Sequence, residues 1–435
     1  MHDTPGDDEV LRSQEREILR WAGVEEEGRS LNERQGVAEG DASSAESSLT
    51  DSEEDEKRFE EIPDQVAGRI HRPEVRDFWR SVLKADKYIM DVLEQGYKLP
   101  FKHDQMPARY KEKNNKSAVK HMGFAMKEVD KWASKKVVLE VYSEPWCVSP
   151  LTVAERTIGD QEKLRLCLDL SRYINTLLRK EAVKLAGIDT CTQSLLPGDF
   201  IATYDLSSAF HHVKIYEPHQ QFLGFSLPGR QAGDPDRFFI FLVMPFGLAS
   251  AVKCITRITR PLCCYLASKG IRHSIYIDDG NALARTLALL LQHLETILDA
   301  LDRAGFVISK EKTDSEETVG QVKVYLGFEV DSIKMQVRVK KEKIDDAKEA
   351  IRAVASEQAG AKKAKLVARA IGKVVAMETA MGPVVQLLSR CAQAELAQAT
   401  EESWSGTMQL SDQAKLGLRQ LADSLESYNL SLIHI

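Results

Sequence analysis

The stretch HSIYIDDGNAL, residues 273–283, sets two adjacent carboxylates, Asp278 and Asp279, directly behind an apolar run with strand character. Packing alone calls for Val or Ile at such positions, so the pair needs a chemical reason. Asp-Gly between alternating β-prone residues is a strong hairpin signal. It predicts Asp278 and Asp279 at the tip of a tight turn, with Ser274, Tyr276 and Asp278 on one face. Taken alone, the motif also reads as an ordinary Asp-Gly turn. A second carboxylate site weighs against that reading. In FIATYDLSSAFHHVKI, residues 200–215, Asp205 ends another β run and is followed by Leu206, Ser207, Ser208 and Ala209, small or apolar enough to let a ligand lie close to the backbone. Two hard cations about 3.5–4 Å apart, held by carboxylates on adjacent strands, can activate an attacking hydroxyl and stabilise the leaving oxygen of a phosphoryl displacement. One isolated Asp cannot do that; three can.

The surrounding chain is long enough to support such a site. With 435 residues, 43% of them hydrophobic, it can form two or three domains around a substantial core. Residues 1–60 hold nineteen acidic and seven basic side chains, a balance of −12 against −7 for the whole chain, so the body from 61 onward carries about +5. The Ser- and acid-rich segment DASSAESSLTDSEEDEKRFEE cannot bury enough apolar surface to offset its ordering, and residues 1–66 are expected to form a disordered acidic tail. The seven cysteines show no C-x-x-C and no His at zinc spacing, which fits a reducing, intracellular setting, cytoplasmic or nuclear. No secretory signal is visible. The longest apolar run, 238–252, is short for a membrane span and is interrupted by Pro245 and Gly247, so no membrane partner is expected.

Hydrophobic periodicity divides the body into three. Residues 67–135 read as helical, with an amphipathic helix from Glu74 to Gly96 and a second from Ser117 to Ser134. The lysines at 109–120 read either as a solvated face or as a phosphate-contacting surface. Residues 136–335 alternate short β-prone runs with Gly, Pro and Asp punctuation and include a helix over 287–304 closed by Gly305. The fold class is therefore α+β with a mainly antiparallel sheet. Residues 336–435 turn helical again and are lysine-rich at first.

Five segments in this order, TYDLSSAFHHV, MPFGLASAV, YIDDG, SKEKT and YLGF, resemble the polymerase motifs of reverse transcriptases over roughly residues 137–335. DLSSAFHHV, LRLCLDLSRYIN and YIDDG look most like retrotransposon enzymes of the DIRS type, which pair reverse transcriptase and RNase H with a tyrosine recombinase. The resemblance implies a right-hand polymerase fold, with fingers and palm over 136–335, preceded by a helical region that packs on the fingers, and a thumb and connection over 336–435. No RNase H constellation follows within the sequence. The implied activity is RNA-directed DNA synthesis from dNTPs on a primed RNA or DNA template, with two Mg²⁺ ions, for which Mn²⁺ can substitute. Asp205, Asp278 and Asp279 match the metal-binding aspartates, and the carbonyl of Leu206 completes the implied metal site. RNase H and recombinase products of the same element are implied partners. The alternative is a polymerase-derived protein that binds nucleic acid without turnover.

The resemblance also assigns supporting residues. Arg165 matches the fingers arginine on the incoming triphosphate, where a planar charged fork suits phosphate oxygens; a strand-edge cation is the plainer reading. Either Arg156 or Lys163 could be a second fingers cation. Phe210, five residues after Asp205, falls where the family places an aromatic ring beneath the sugar, although a lone Phe is usually core. Phe246 and Gly247 in the Pro-Phe-Gly turn resemble the support for nucleotide and template base, and Gly247 permits close backbone approach or positive φ. Tyr276 opens the Tyr-x-Asp-Asp motif and is assigned to the substrate side. Lys312 falls where the family places a lysine able to protonate departing pyrophosphate, with Lys310 as competitor. Residues 325–330 resemble a hairpin gripping the primer end.

Overall fold

The computed structural model describes residues 66–432 except 104–105, 159–160, 181, 232, 357–359, 402 and 430. The expected acidic tail lies outside the described residues apart from Val66. The chain forms two units that do not follow chain order. One gathers the described residues up to Asp77 with Asp86–Arg179 and Phe210–Ala251; the other gathers Phe78–Ala85, Lys180–Ala209 and Val252 onward.

In the first unit a five-stranded sheet runs in the order Tyr110–Lys111, Cys147–Val148, Gly224–Leu227, Arg237–Phe241 and Val138–Val141. The first two pairings are parallel and the others antiparallel. Helix Met122–Ser134 buries Ala125, Val129 and Trp132, and the Trp132 ring packs on Phe241 with centroids 5.4 Å apart. A separate hairpin joins Leu151–Ile158 to Gln161–Leu168 in unbroken antiparallel register. Its first strand was not legible as a β run, because Glu155 and Arg156 interrupt the apolar pattern.

In the second unit a three-stranded antiparallel sheet has Asp279–Ala284 at its centre, flanked by Phe200–Asp205 and Arg272–Tyr276. Helix Leu287–Arg303 packs on this sheet through Leu290, Leu294, Ile297, Ala300 and Leu301. Thr286 caps its first turn, and Gly305, at φ 85°, ends it as expected. A meander of Val322–Tyr325, Phe328–Asp331 and Gln336–Val339 is completed by Ser431–Leu432. The helices Lys341–Ala355, Ala364–Val375, Val384–Ala399 and Asp412–Tyr428 bury their apolar faces in one core that also holds Ile201, Leu283, Val330 and Val337. Among the described residues no helix is long and apolar enough to cross a membrane.

Two expected helices are interrupted. The pattern from Glu74 to Gly96 breaks at Lys84, which takes φ 50°, and a new helix, Lys87–Gln95, starts under Asp86, whose carboxylate accepts from the Ile89 N–H at 2.8 Å. An Asp inside an apolar repeat is an N-cap signal that competes with continuation of the helix. The tertiary gain lies at Trp79, which is fully buried and donates through Nε1 to the Ala304 carbonyl at 3.0 Å. The pattern from Ser117 to Ser134 likewise breaks, at His121, between the helices Lys116–Lys120 and Met122–Ser134.

Candidate active site

The carboxylates are set by strand register. Asp279 is the direct cross-strand partner of Asp205 on one side and of Tyr276 on the other. Directly opposed residues share a face of the sheet, and two like charges in that arrangement repel. The hairpin turn is not at Asp-Gly: Tyr276 and Asp279 pair, so Ile277 and Asp278 form the two-residue loop and Gly280 lies inside the strand. Ile277 takes φ 61°, a costly conformation for a β-branched residue. Gly280 serves a different need. A Cβ there would lie 2.0 Å from Cζ of Tyr204, whose buried ring stacks on His273 and hydrogen-bonds its Nε2. The glycine lets the two strands that carry Asp205 and Asp279 close over an aromatic ring.

Asp205 is buried at 7% exposure, and its Oδ2 accepts from Lys312 Nζ at 2.8 Å. Lys310, the alternative, is exposed. Partial burial, reinforced by the nearby charges of Asp278 and Asp205 and opposed by Lys312, pushes the Asp279 carboxyl up to about 6. The Leu206 N–H donates to the Asp278 carbonyl at 2.8 Å, which ties the turn to the end of the opposite strand. Tyr325, which the sequence did not single out for this site, donates from its hydroxyl to the Asp279 carbonyl at 3.3 Å.

Among the described residues no group of three or more His, Cys, Asp or Glu side chains is already gathered as a cation cage. In donor type the three carboxylates nevertheless fit a hard divalent cation. Such a cation would relieve the repulsion that adds to burial in lifting Asp279, and Lys312 supplies positive charge there.

The remaining candidates belong to the first unit. Arg165 is exposed on the hairpin opposite Ala154, and Lys163, also exposed, precedes it by two residues on the same face. The side chain of Arg156 lies outside the described residues. Phe210 is buried at 9% exposure within the short 3₁₀ turn Ala209–His212. The ring of Phe246 meets Phe210 edge-on, with centroids 5.2 Å apart, and itself stays 41% exposed. Gly247 meets both needs read from the sequence: it takes φ 106°, and a Cβ on it would lie 2.0 Å from the Leu168 carbonyl oxygen. Asn175 secures this turn, donating to the Gly247 carbonyl at 2.8 Å and accepting from the Ala249 N–H at 2.9 Å. Asn175 was missed because its role depends on a partner 72 residues away.

Similarity to known proteins bears on this arrangement. Residues 162–330 match the family described as reverse transcriptase (RNA-dependent DNA polymerase). The chain is 24% identical over 272 residues to the genome polyprotein of Petunia vein clearing virus, covering 59% of this chain and 12% of that one. It is 26% identical over 192 residues to the retrovirus-related Pol polyprotein from transposon gypsy of Drosophila melanogaster, covering 41% of this chain and 16% of the other. The chain thus spans well under two thirds of these relatives. Among solved structures it resembles a foamy viral protease-reverse transcriptase in complex with RNA/DNA hybrid, at TM-score 0.55 and 16% identity, over 82% of this chain and 46% of that one. The same viral protein in complex with double-stranded DNA gives TM-score 0.54 at 15% identity, over 82% and 72% of the two chains. The fold is the polymerase fold of reverse transcriptases.

Proposed function

We propose that the chain is the RNA-directed DNA polymerase of a retroelement, adding dNTPs to a primer 3′ hydroxyl on an RNA or DNA template. The observation that carries this reading is the cross-strand pair Asp205 and Asp279, with Asp278 in the adjoining turn and Lys312 on Asp205. Asp205, Asp278, Asp279 and the carbonyl of Leu206 would hold two Mg²⁺ ions, which when bound polarise the phosphate oxygens and lower the barrier to hydroxyl attack. The protein's own part is to fix these oxygens on a rigid sheet, to seat the triphosphate with Arg165, and to place the sugar over Phe210. Fingers and palm over 136–335 and a thumb over 336–435 complete the assignment. The wording of the motifs supports a DIRS-type element, and the cysteine pattern an intracellular site of action. Purified protein given Mg²⁺, dTTP and oligo-dT on poly-rA should extend the primer. Hybrid binding without extension would favour a lapsed, nucleic-acid-binding relative.

Two results should follow. Phe210→Val should raise incorporation of UTP relative to dTTP by at least about tenfold, roughly 1.4 kcal/mol between competing transition states, because an apolar ring excludes the 2′ hydroxyl by volume and offers it no partner. The check is kcat/KM for both nucleotides on one primed template; an unchanged ratio in an active variant would return Phe210 to the core. Primer–template affinity should fall by about 10²-fold or more between 50 and 200 mM salt, through counterion release at cations such as Lys340, Lys341, Lys362, Lys363 and Lys365. A flat salt response would count against phosphate tracking by these helices.

A further inference from the structure

Segment 307–320 runs along the edge of the strand Phe200–Asp205 that its sheet partner Asp279–Ala284 does not use. Ser207 N donates to the Val307 carbonyl at 2.9 Å, Ser309 N to the Asp205 carbonyl at 2.8 Å, and Asp314 N to the Thr203 carbonyl at 2.9 Å. Leu206 and Ile308 form a bridge in the same run, as do Ile201 and Gly320. Between the anchors at Ser309 and Asp314 lies the 3₁₀ turn Lys310–Lys312, from which Lys312 reaches Asp205.

The two anchors differ in kind. The one at Ser309 is backbone alone and is open to almost any sequence. The one at Asp314 is also a side chain: its Oδ2 accepts from the Thr203 N–H at 2.7 Å and from the Thr203 hydroxyl at 3.0 Å. Its Oδ1 accepts from Lys323 Nζ at 2.7 Å, and Lys323 is itself held by the Thr318 carbonyl at 2.8 Å. The Asp314 and Lys323 side chains are only 9% and 17% exposed. A charge pair withdrawn from water to this extent holds its place only with its bonds complete, so it behaves as a rigid pin.

We infer that Asp314 is a positioning residue for nucleotide addition, pinning the Lys310–Lys312 turn so that the Lys312 ammonium meets the leaving group. The inference rests on the reading of Lys312 as general acid. In that step the primer 3′ hydroxyl gives its proton to water as O3′ forms a bond to the α-phosphorus, and the bond from that phosphorus to the bridging oxygen breaks. The oxygen leaves on pyrophosphate with the Lys312 proton, and the amine regains a proton from water. An acid held at one end only of its turn spends less time in reach of that oxygen, which lowers the rate most where the leaving group most needs the proton.

The test is single-turnover addition with Mg²⁺ on one primer–template, using dTTP and its β,γ-methylene and β,γ-difluoromethylene analogues, whose leaving groups are respectively more and less basic. Lys312→Ala should slow dTTP addition by about 10²-fold, most with the methylene analogue and least with the difluoromethylene one. Asp314→Ala should slow dTTP addition by about tenfold with the same dependence, while the primer–template Kd stays within about twofold of wild type and amide exchange across 310–312 rises. Should Asp314→Ala fail to fold, Thr203→Val and Lys323→Met, each removing one bond to the carboxylate, should show the same dependence at about threefold. A slowdown equal for all three nucleotides in the Asp314, Thr203 and Lys323 variants, with the dependence intact in Lys312→Ala, overturns the positioning role alone. Its absence in Lys312→Ala overturns the general-acid reading, and the positioning role with it.

Discussion

On the proposed function, Asp279→Asn should slow nucleotide addition by at least about 10³-fold, roughly 4 kcal/mol of transition-state stabilisation, and at the same time should make the protein harder to melt. Both effects come from one arrangement: Asp279 is partly buried and faces Asp205 across the sheet, beside Asp278. The first follows because an amide cannot replace a charged oxygen ligand. The second follows from linkage. The carboxyl titrates near 6 in the folded protein against an ordinary value of 3.8, so above about pH 6 it is charged in both states and its charge opposes folding. As pH falls from 6 toward 4 the folded state takes up a proton that the unfolded chain does not, and the penalty disappears. In EDTA the Asn variant should therefore melt about 2–4 °C above wild type at pH 8, what roughly 1 kcal/mol does to a unit of this size, and level with it near pH 4. Asp278→Asn should be as inactive. Normal extension by either variant would remove the pair from the chemistry, and equal melting at pH 8 would remove the repulsion.

Asp199→Ala should be the most destabilising single change in the second unit. Asp199 is fully buried and forms a bidentate pair with Arg272 at 2.5 and 2.8 Å, while its Oδ2 also accepts from the Leu196 N–H at 2.7 Å. Arg272 is itself only 12% exposed. Truncating the carboxylate strands that guanidinium and one backbone N–H, which costs about 3–5 kcal/mol and lowers the melting temperature by roughly 10 °C. Replacing both partners, Asp199→Leu with Arg272→Met, should recover part of the loss, since the cost lies in the charge left unpaired. Melting within about 1 °C of wild type after Asp199→Ala would show that water reaches the site.

What the sequence disclosed and what it withheld divide along a physical line. Asp205, Asp278 and Asp279 stood out because carboxylates at the ends of apolar β runs conflict with packing, and such conflict is visible locally. That Asp205 faces Asp279 rather than Asp278 was not visible, since it depends on register, and the Asp-Gly rule placed the turn one residue too late. The structure overrides that rule by holding Ile277 at φ 61° and spending Gly280 on contact with Tyr204. The helix break at Lys84 was partly legible, since Asp86 is a local N-cap signal, but the positive φ of Lys84 was not. Gly247 was legible, because close approach and positive φ both demand the same residue. Asp314 was not, because an Asp after a lysine-rich turn looks like any solvated loop until its partners Thr203 and Lys323 are known.

Segment 307–320 also covers the free edge of its sheet. An uncovered strand offers a row of free N–H and C=O groups on which a second copy can pair, and here the segment bearing Lys312 takes up those at Ile201, Thr203, Asp205 and Ser207. The residues that place Lys312 beside Asp205 are therefore also those that cover the strand edge. A variant that loses this loop would uncover the edge of Phe200–Asp205 and should be open to edge pairing between copies, whatever becomes of its aspartates.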